Sequence, residues 1–141
     1  MTHHGTALCL GARGLLLRGP PGAGKSTLAL AAIAHFATGT RFAALVADDR
    51  VILDGAGGRL IARPPTTLAG KVEVHFDGVR TVPVLPAVRI TLVADLEESA
   101  PRMAERATTT LAGVTVPQTT LPARNVAASL AVLAAWLATA S

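Results

Sequence analysis

An α/β fold, with a twisted mixed sheet flanked by helices and carrying extra β-hairpins, is predicted by three features of this 141-residue sequence. A glycine-rich stretch, Gly19-Pro20-Pro21-Gly22-Ala23-Gly24-Lys25-Ser26, lies between an apolar run and a long run of helix formers. A second apolar run, Phe42 to Ala47, ends in Asp48-Asp49. The rest is mostly short Val-, Leu- and Thr-containing segments separated by Gly, Asp and Pro, which read as strands and turns.

The glycine-rich stretch fits G-x-x-x-x-G-K-[ST], the spacing of the phosphate-binding loop of P-loop nucleotide enzymes. Glycines let backbone N–H groups turn inward around phosphate oxygens with no Cβ in the way. Lys25 is placed to reach the β- and γ-phosphates, and the Ser26 hydroxyl to meet Mg²⁺. The helix that follows directs its positive end at the same anion. Gly19 to Ser26, with Thr27 next, are therefore the candidate nucleotide-binding residues. An accidental Lys-Ser in a Gly/Pro turn is the rival explanation. It does not account for the order of strand (Leu15 to Arg18), loop and helix (Ser26 to Phe36) that the motif requires.

Taken in order, Thr6 to Leu10 reads as a strand, Gly11 to Gly14 as a turn and Leu15 to Arg18 as the partner strand, so a hairpin feeds the loop. His3 and His4 sit at its open end; the alternative for such a terminal histidine is a solvated side chain. Ala37 to Thr40 breaks the helix. Phe42 to Ala47 then runs as a buried strand into Asp48 and Asp49. One carboxylate there can hold Mg²⁺ or its water, and one can accept a proton from an attacking hydroxyl. The plainer alternative is a pair of strand-end turn or cap aspartates. Val51 to Leu53 and Arg59 to Ala62 form a hairpin across Asp54 to Gly58, ended by Pro64-Pro65. Thr66 to Gly70 is a turn or one helical turn. Lys71 to Phe76 alternates with period two, as a strand does, and Asp77-Gly78 is a turn. Val79 to Val84 continues as strand or loop, and Ala87 to Leu96 is an apolar strand. Glu97 to Ala107, charged and containing Pro101, reads as a surface connection. Val114 to Val116 is a short edge strand closed by Pro117. Asn125 caps a helix to about Ala138, with Trp136 its one large side chain. No repeat or boundary interrupts the chain, so residues 1–141 are expected to form a single domain.

Half the residues are hydrophobic and 16% are charged, which excludes a disordered chain. Aromatics are 3%, with no tyrosine, so the core is expected to be Ala, Val, Leu and Ile. That scarcity argues against base-stacking platforms. The net charge is +4, but the arginines are scattered singly, so nucleic acid is not an expected partner. The charge suits phosphate-bearing ligands and an acidic protein partner. Cys9 is alone, which excludes an intramolecular disulfide and a cysteine metal cluster, and its expected role is a small buried hydrophobe. The N-terminus lacks the regions of a signal peptide, and the C-terminal helix is too short and interrupted for a membrane span. A cytoplasmic protein with no membrane partner is the expectation.

Five segments together resemble the catalytic domain of the HPr kinase/phosphorylase family, in its short proteobacterial form. They are His4-Gly5 upstream of the hairpin, Gly19 to Ser26 with Leu28-Ala29-Leu30, and Leu45-Val46-Ala47-Asp48-Asp49-Arg50-Val51. The others are Ala62-Arg63-Pro64-Pro65 through Glu73-Val74, and Leu111 to Val114 with Pro117 and Pro122 to Ala127. The resemblance spans nearly the whole chain and implies a P-loop kinase-like form of the α/β fold. It implies an ATP- and Mg²⁺-dependent kinase acting on a serine of an HPr-like phosphocarrier protein, reversible by phosphorolysis. It implies Asp48 as general base with Asp49 beside it, Lys25 on the transferring phosphate and His4 as a phosphate contact. Ser26 and Glu73 would hold Mg²⁺, with Asp49 a further metal candidate, and Arg124 would belong to the phosphorylase direction. Longer members are hexamers, so a homo-oligomer, hexamer or trimer, is implied; the apolar last helix could instead simply cover the sheet.

The sequence also departs from the family pattern. Where the family has Arg-Gly-Leu-Gly, this chain has His75-Phe76-Asp77-Gly78, and Ala123 replaces the glycine before Arg124. The stretch from Ala37 to Phe42 is longer than in the family. Arg102 and Arg106 are only loose counterparts of an arginine that longer members use. These changes bear on the phosphorylase direction and on the substrate. Two other readings follow: a diverged kinase of the same fold acting on another protein or small molecule, and a non-catalytic nucleotide-binding regulator.

Overall fold

The computed structural model describes residues 2–38, 41–65, 73–76, 80–98 and 107–139. Its centre is a mixed sheet, as the α/β expectation requires. β9 (Val88–Glu97) is the pivot strand: it runs parallel to β3 (Arg13–Arg18) and to β11 (Val114–Pro122), and antiparallel to β6 (Arg59–Arg63). Beyond β3 come β2 (Thr6–Leu10) and β4 (Ala43–Ala47), both pairings antiparallel. Beyond β6 come β5 (Arg50–Ala56) and β1 (Thr2–His4). The strand order is β1-β5-β6-β9-β3-β2-β4, and β10 (Ala107–Leu111) pairs with β11. β7 (Glu73–Phe76) and β8 (Arg80–Pro83) form a separate hairpin, whose exit bridges Val84 to Leu45 at the β4 edge.

β2, β3 and β4 are buried along most of their length because both faces of the sheet are covered. On one face lie α1 (Lys25–Phe36) and α2 (Val126–Ala138). They pack on Leu8, Leu15, Leu17, Leu92 and Leu121. On the other face the curled strands enclose Leu16, Val46, Val51, Leu53, Leu60 and Val93. The core is Leu, Val, Ile and Ala as the composition requires; Phe36 is buried, whereas Phe42 is 51% exposed.

Several boundaries differ from the sequence expectation. Only Gly11-Ala12 turns the first hairpin, because Arg13 and Gly14 already pair with Leu10 and with Ile90. The terminal residues His3 and His4 belong to a strand, since Arg50 and Val51 offer an unpaired edge. The segment after the second apolar strand is a tighter hairpin than expected: Asp54 to Ala56 stay in β5 and only Gly57-Gly58 turn, both at positive φ. Of the two readings for Val79 to Val84, the described part is strand.

The expected surface connection yields to β10 from Ala107 onward, where Thr108 to Thr110 favour extended backbone. Pro117 does not close a short strand. β11 continues through it to Pro122, and Pro117 sits where β11 passes from β10 alone to parallel pairing with β9, beginning at Gln118. A missing N–H is tolerated at such a junction. The turn expected at Thr66 to Gly70, Lys71-Val72, the Asp77-Gly78 turn, Pro101, Arg102 and Arg106 all lie outside the described residues.

Candidate functional site

β3, β9 and β11 are parallel, so their carboxyl ends gather at one end of the sheet, at Arg18, Glu97 and Pro122. Ligands of open α/β sheets bind at such ends. The glycine loop leaves β3 there and enters α1. Gly19 has no room for a side chain: an added Cβ would stand 3.1 Å from Ala23 Cβ and 3.2 Å from the Leu96 carbonyl oxygen. Gly22 and Gly24 adopt φ of 81° and 92°, which favours glycine. Pro20 and Pro21 form the exposed crest, held by the Ala23 N–H donating to the Pro20 carbonyl at 3.1 Å. The first turn of α1 has no side-chain cap and no acidic residue, so its N–H groups and positive end are open to an anion. Lys25 Nζ donates to the Gly19 carbonyl at 2.8 Å and the Pro20 carbonyl at 3.3 Å, which holds the ammonium over the loop. Thr27 is exposed beside it.

β4 runs parallel to β3 through β2 and delivers Asp48 to the same end. Ser26 Oγ donates to Asp48 Oδ1 at 2.6 Å, and Thr6 Oγ1 donates to the same oxygen at 3.0 Å. Among the described residues Oδ2 has no hydrogen-bond partner. Asp49 is exposed at φ 69°, a conformation that Asp tolerates better than most residues. Its kink is held on both sides: Gly5 N–H donates to the Asp49 carbonyl at 3.0 Å and Arg50 N–H to the Asp48 carbonyl at 2.8 Å. Asp48, not Asp49, is thus the carboxylate that meets the phosphate-loop serine. His4 is exposed and pairs with Arg50 through β1 and β5, which puts it beside the aspartate turn. Its neighbour His3 carries a buried Nε2 with no partner.

Arg124 reaches the loop from the other side. It sits at φ 53°, its N–H donates to the Ala23 carbonyl at 3.3 Å, and Nη1 donates to the Gly22 carbonyl at 3.1 Å. Glu98 pairs with its other terminal nitrogen. Next to it a cavity of about 200 Å³ opens between the starts of the two helices, lined by Gly24, Thr27, Leu28, Leu96, Pro122 and Arg124 among others. The backbone places Glu73 at the start of β7, and its side chain lies outside what the structure describes. Two hard oxygens in contact, Ser26 Oγ and Asp48 Oδ1, are a donor set that suits Mg²⁺, which takes one or two protein ligands and completes its shell with phosphate and water. Among the described residues no three His, Cys, Asp or Glu cluster as a metal site of their own.

The structure therefore brings together the loop, Asp48 and Arg124, and places Asp49 and His4 at the rim. Sequence reasoning missed Thr6 and Glu98. Thr6 had a signal: it is the one polar residue in the buried strand Thr6-Ala7-Leu8-Cys9-Leu10. Glu98 had none, because its contact is made only by the fold. A brace behind the loop was also missed: Arg18 grips Asp95 with two bonds of 2.7 and 2.9 Å, and Gln118 Nε2 donates to Asp95 Oδ2 at 2.6 Å. It ties β3, β9 and β11 together just behind the first glycine.

No protein-family model and no curated protein matches this sequence. Among solved structures, the Hpr(Ser) kinase/phosphatase from Coxiella burnetii matches with a TM-score of 0.75 and 21% sequence identity. The match covers 97% of this chain and 96% of that one. The chain shares that protein's fold, a mixed curled sheet with two helices. This bears out the α/β expectation and, at the level of fold, the resemblance read from the sequence.

Proposed function

We propose that this chain is an ATP- and Mg²⁺-dependent phosphotransferase that phosphorylates a serine of an HPr-like phosphocarrier protein in the cytoplasm. The observation that carries the reading is the 2.6 Å contact between Ser26 of the phosphate loop and Asp48. A carboxylate on the loop serine suits Mg²⁺-nucleotide binding, and Oδ2, without a hydrogen-bond partner among the described residues, adds an acceptor for a hydroxyl proton. The shared fold with a Hpr(Ser) kinase/phosphatase supports it.

In this reading ATP supplies the phosphoryl group and Mg²⁺ offsets its charge. The chain's own residues do the rest. The loop N–H groups and Lys25 hold the phosphates, with Lys25 leaving the Gly19 and Pro20 carbonyls to do so. Ser26 takes the metal side, with Asp49 and Glu73 as further metal candidates. Asp48 keeps Oδ1 on Ser26 and Thr6 and offers Oδ2 to the substrate hydroxyl. It accepts that proton as the serine oxygen bonds to phosphorus and the bond to the leaving oxygen breaks. His4 contacts phosphate from the rim. Arg124 sits over Gly22, where it can meet phosphate in either direction of transfer. Leu28, Leu96 and Pro122 in the adjoining cavity give an apolar wall for the nucleoside.

The test is transfer of labelled γ-phosphate from ATP to HPr-like carriers in the presence of Mg²⁺, followed by addition of inorganic phosphate. Label on a carrier serine supports the reading, and its release as pyrophosphate adds the phosphorylase direction. ATP binding without label on any carrier sinks it. That outcome leaves a diverged kinase, to which the His75-Phe76-Asp77-Gly78 departure points, or a nucleotide-binding regulator.

A further inference from the structure

The end of the sheet opposite the phosphate loop holds a second and larger cavity, of about 570 Å³. It lies where β3 and β9 begin; β3 is six residues long, which separates the two ends by about 17 Å at a rise of ~3.3 Å per residue. Its volume is that of a small-molecule site. Its charge is one-sided. Arg13, Arg41 and Arg89 line it, and no acidic residue does, among the described residues.

The three arginines are not equivalent. Arg13 is committed to the fold: Nη1 donates to the Trp136 carbonyl at 2.7 Å and to Thr139 Oγ1 at 3.2 Å, Nη2 bonds the Thr139 carbonyl, and the guanidinium lies 5.4 Å from the centre of the Trp136 ring. It satisfies the end of α2 and fixes Trp136 as a wall. Arg41 and Arg89 make no ion pair or side-chain hydrogen bond among the described residues, in contrast to Arg18, Arg63 and Arg124. Two uncommitted guanidiniums carry the charge that balances a phosphate dianion, and guanidinium geometry suits phosphate oxygens. Pro117, Trp136 and Leu137 supply apolar surface that a bare phosphate ion would leave unused.

We propose that this cavity is a second anion site, which binds a small organic phosphomonoester. Arg41 and Arg89 take the phosphate, and the organic body lies against Trp136, Leu137 and Pro117. The site is separate from the nucleotide loop, and the inference does not depend on which substrate the loop serves.

Trp136 is the single tryptophan of the chain, so its fluorescence reports on this cavity alone. The experiment titrates the full chain with phenyl phosphate, with benzoate, benzyl alcohol and inorganic phosphate in parallel. A saturable change with phenyl phosphate is expected, tighter than with the other three probes. Arg41→Gln and Arg89→Gln remove no ion pair or side-chain hydrogen bond seen among the described residues, so the melting temperature is expected to stay unchanged, and each should weaken binding at least tenfold. Lys25→Ala should leave it within twofold while abolishing ATP binding. Four results each overturn the proposal: no response to phenyl phosphate; equal affinity for benzyl alcohol, which means apolar association only; equal or tighter binding of benzoate, which means a carboxylate site; or a response that survives both arginine substitutions.

Discussion

Asp48 shows how much one side chain depends on its supports. Its Oδ1 accepts from Ser26 and from the buried Thr6, which fixes the carboxylate plane and leaves Oδ2 without a hydrogen-bond partner among the described residues. Asp48→Asn keeps an acceptor for both donors but no base. On the proposed function, phosphotransfer is expected to fall about 10²–10⁴-fold, with ATP affinity nearly unchanged; parallel transfer and equilibrium-binding assays check this. Wild-type transfer by that variant would remove Asp48 from the proton's path. Thr6→Val keeps the shape and loses one bond, at a cost of about 1 kcal/mol in urea unfolding.

Cys9 gives a pH dependence of its own. Burial pushes its thiol above the ordinary 9.0, and Sγ–H donates to the Gly11 carbonyl at 2.9 Å. The folded state then holds the proton more tightly than the unfolded one. Stability is full below pH 9.0 and declines as pH rises above it. Urea melts at pH 7 and at pH 10 should show a drop that Cys9→Ala lacks, and the native thiol should resist alkylation.

At the scale of elements, what matters is how closely strands approach and how helices end. Gly14 lies where β3 and β9 meet: an added Cβ would stand 2.2 Å from the Arg89 carbonyl oxygen, which is backbone and cannot swing away. Gly14→Ala is expected to destabilise by at least about 2 kcal/mol, read as a lower urea midpoint. Strand pairing at Gly14, and not turn chemistry, is what demands a glycine there. α2 starts on Asn125, whose side chain accepts from the Ala128 N–H at 3.1 Å, as its sequence position indicated. Asn125→Ala should cost about 1 kcal/mol. It should also loosen Arg124, the next residue back, so ATP affinity is a second readout.

For the whole molecule, the order of strands matters more than any one of them. β3 from the N-terminal hairpin, β9 from the middle and β11 from the C-terminal part lie side by side, and Arg18, Asp95 and Gln118 join all three. We propose that the chain unfolds as one domain. Circular dichroism and Trp136 fluorescence should then give coincident urea transitions. α2 fully buries only Ser129 and Leu133 and leaves Val132 38% exposed, so much apolar helix surface faces outward. We propose that this surface joins copies of the chain into a trimer or hexamer, to be measured by light scattering. A monomer at micromolar concentration would leave α2 as a cover for the sheet and nothing more. No helix among the described residues is long and apolar enough to cross a membrane.

Local features were legible in the amino-acid sequence alone. The phosphate loop, its flanking strand and helix, the Asp48-Asp49 strand end and the Asn125 cap are each written in a few adjacent residues, because φ angles, hydrogen-bonding side chains and periodicity act over short spans. Non-local features emerged with the three-dimensional fold. The fold selects Asp48 over Asp49 to meet Ser26, since a left-handed residue turns the chain one position later. It carried β11 through Pro117, because the pairing partner changes there and no donor is needed. It brought Arg124 onto Gly22, and Arg41 and Arg89 to one cavity, from sequence separations that no local rule spans. Side chains far apart in sequence meet only where the sheet order brings them, and that order is set by which faces the whole chain can bury.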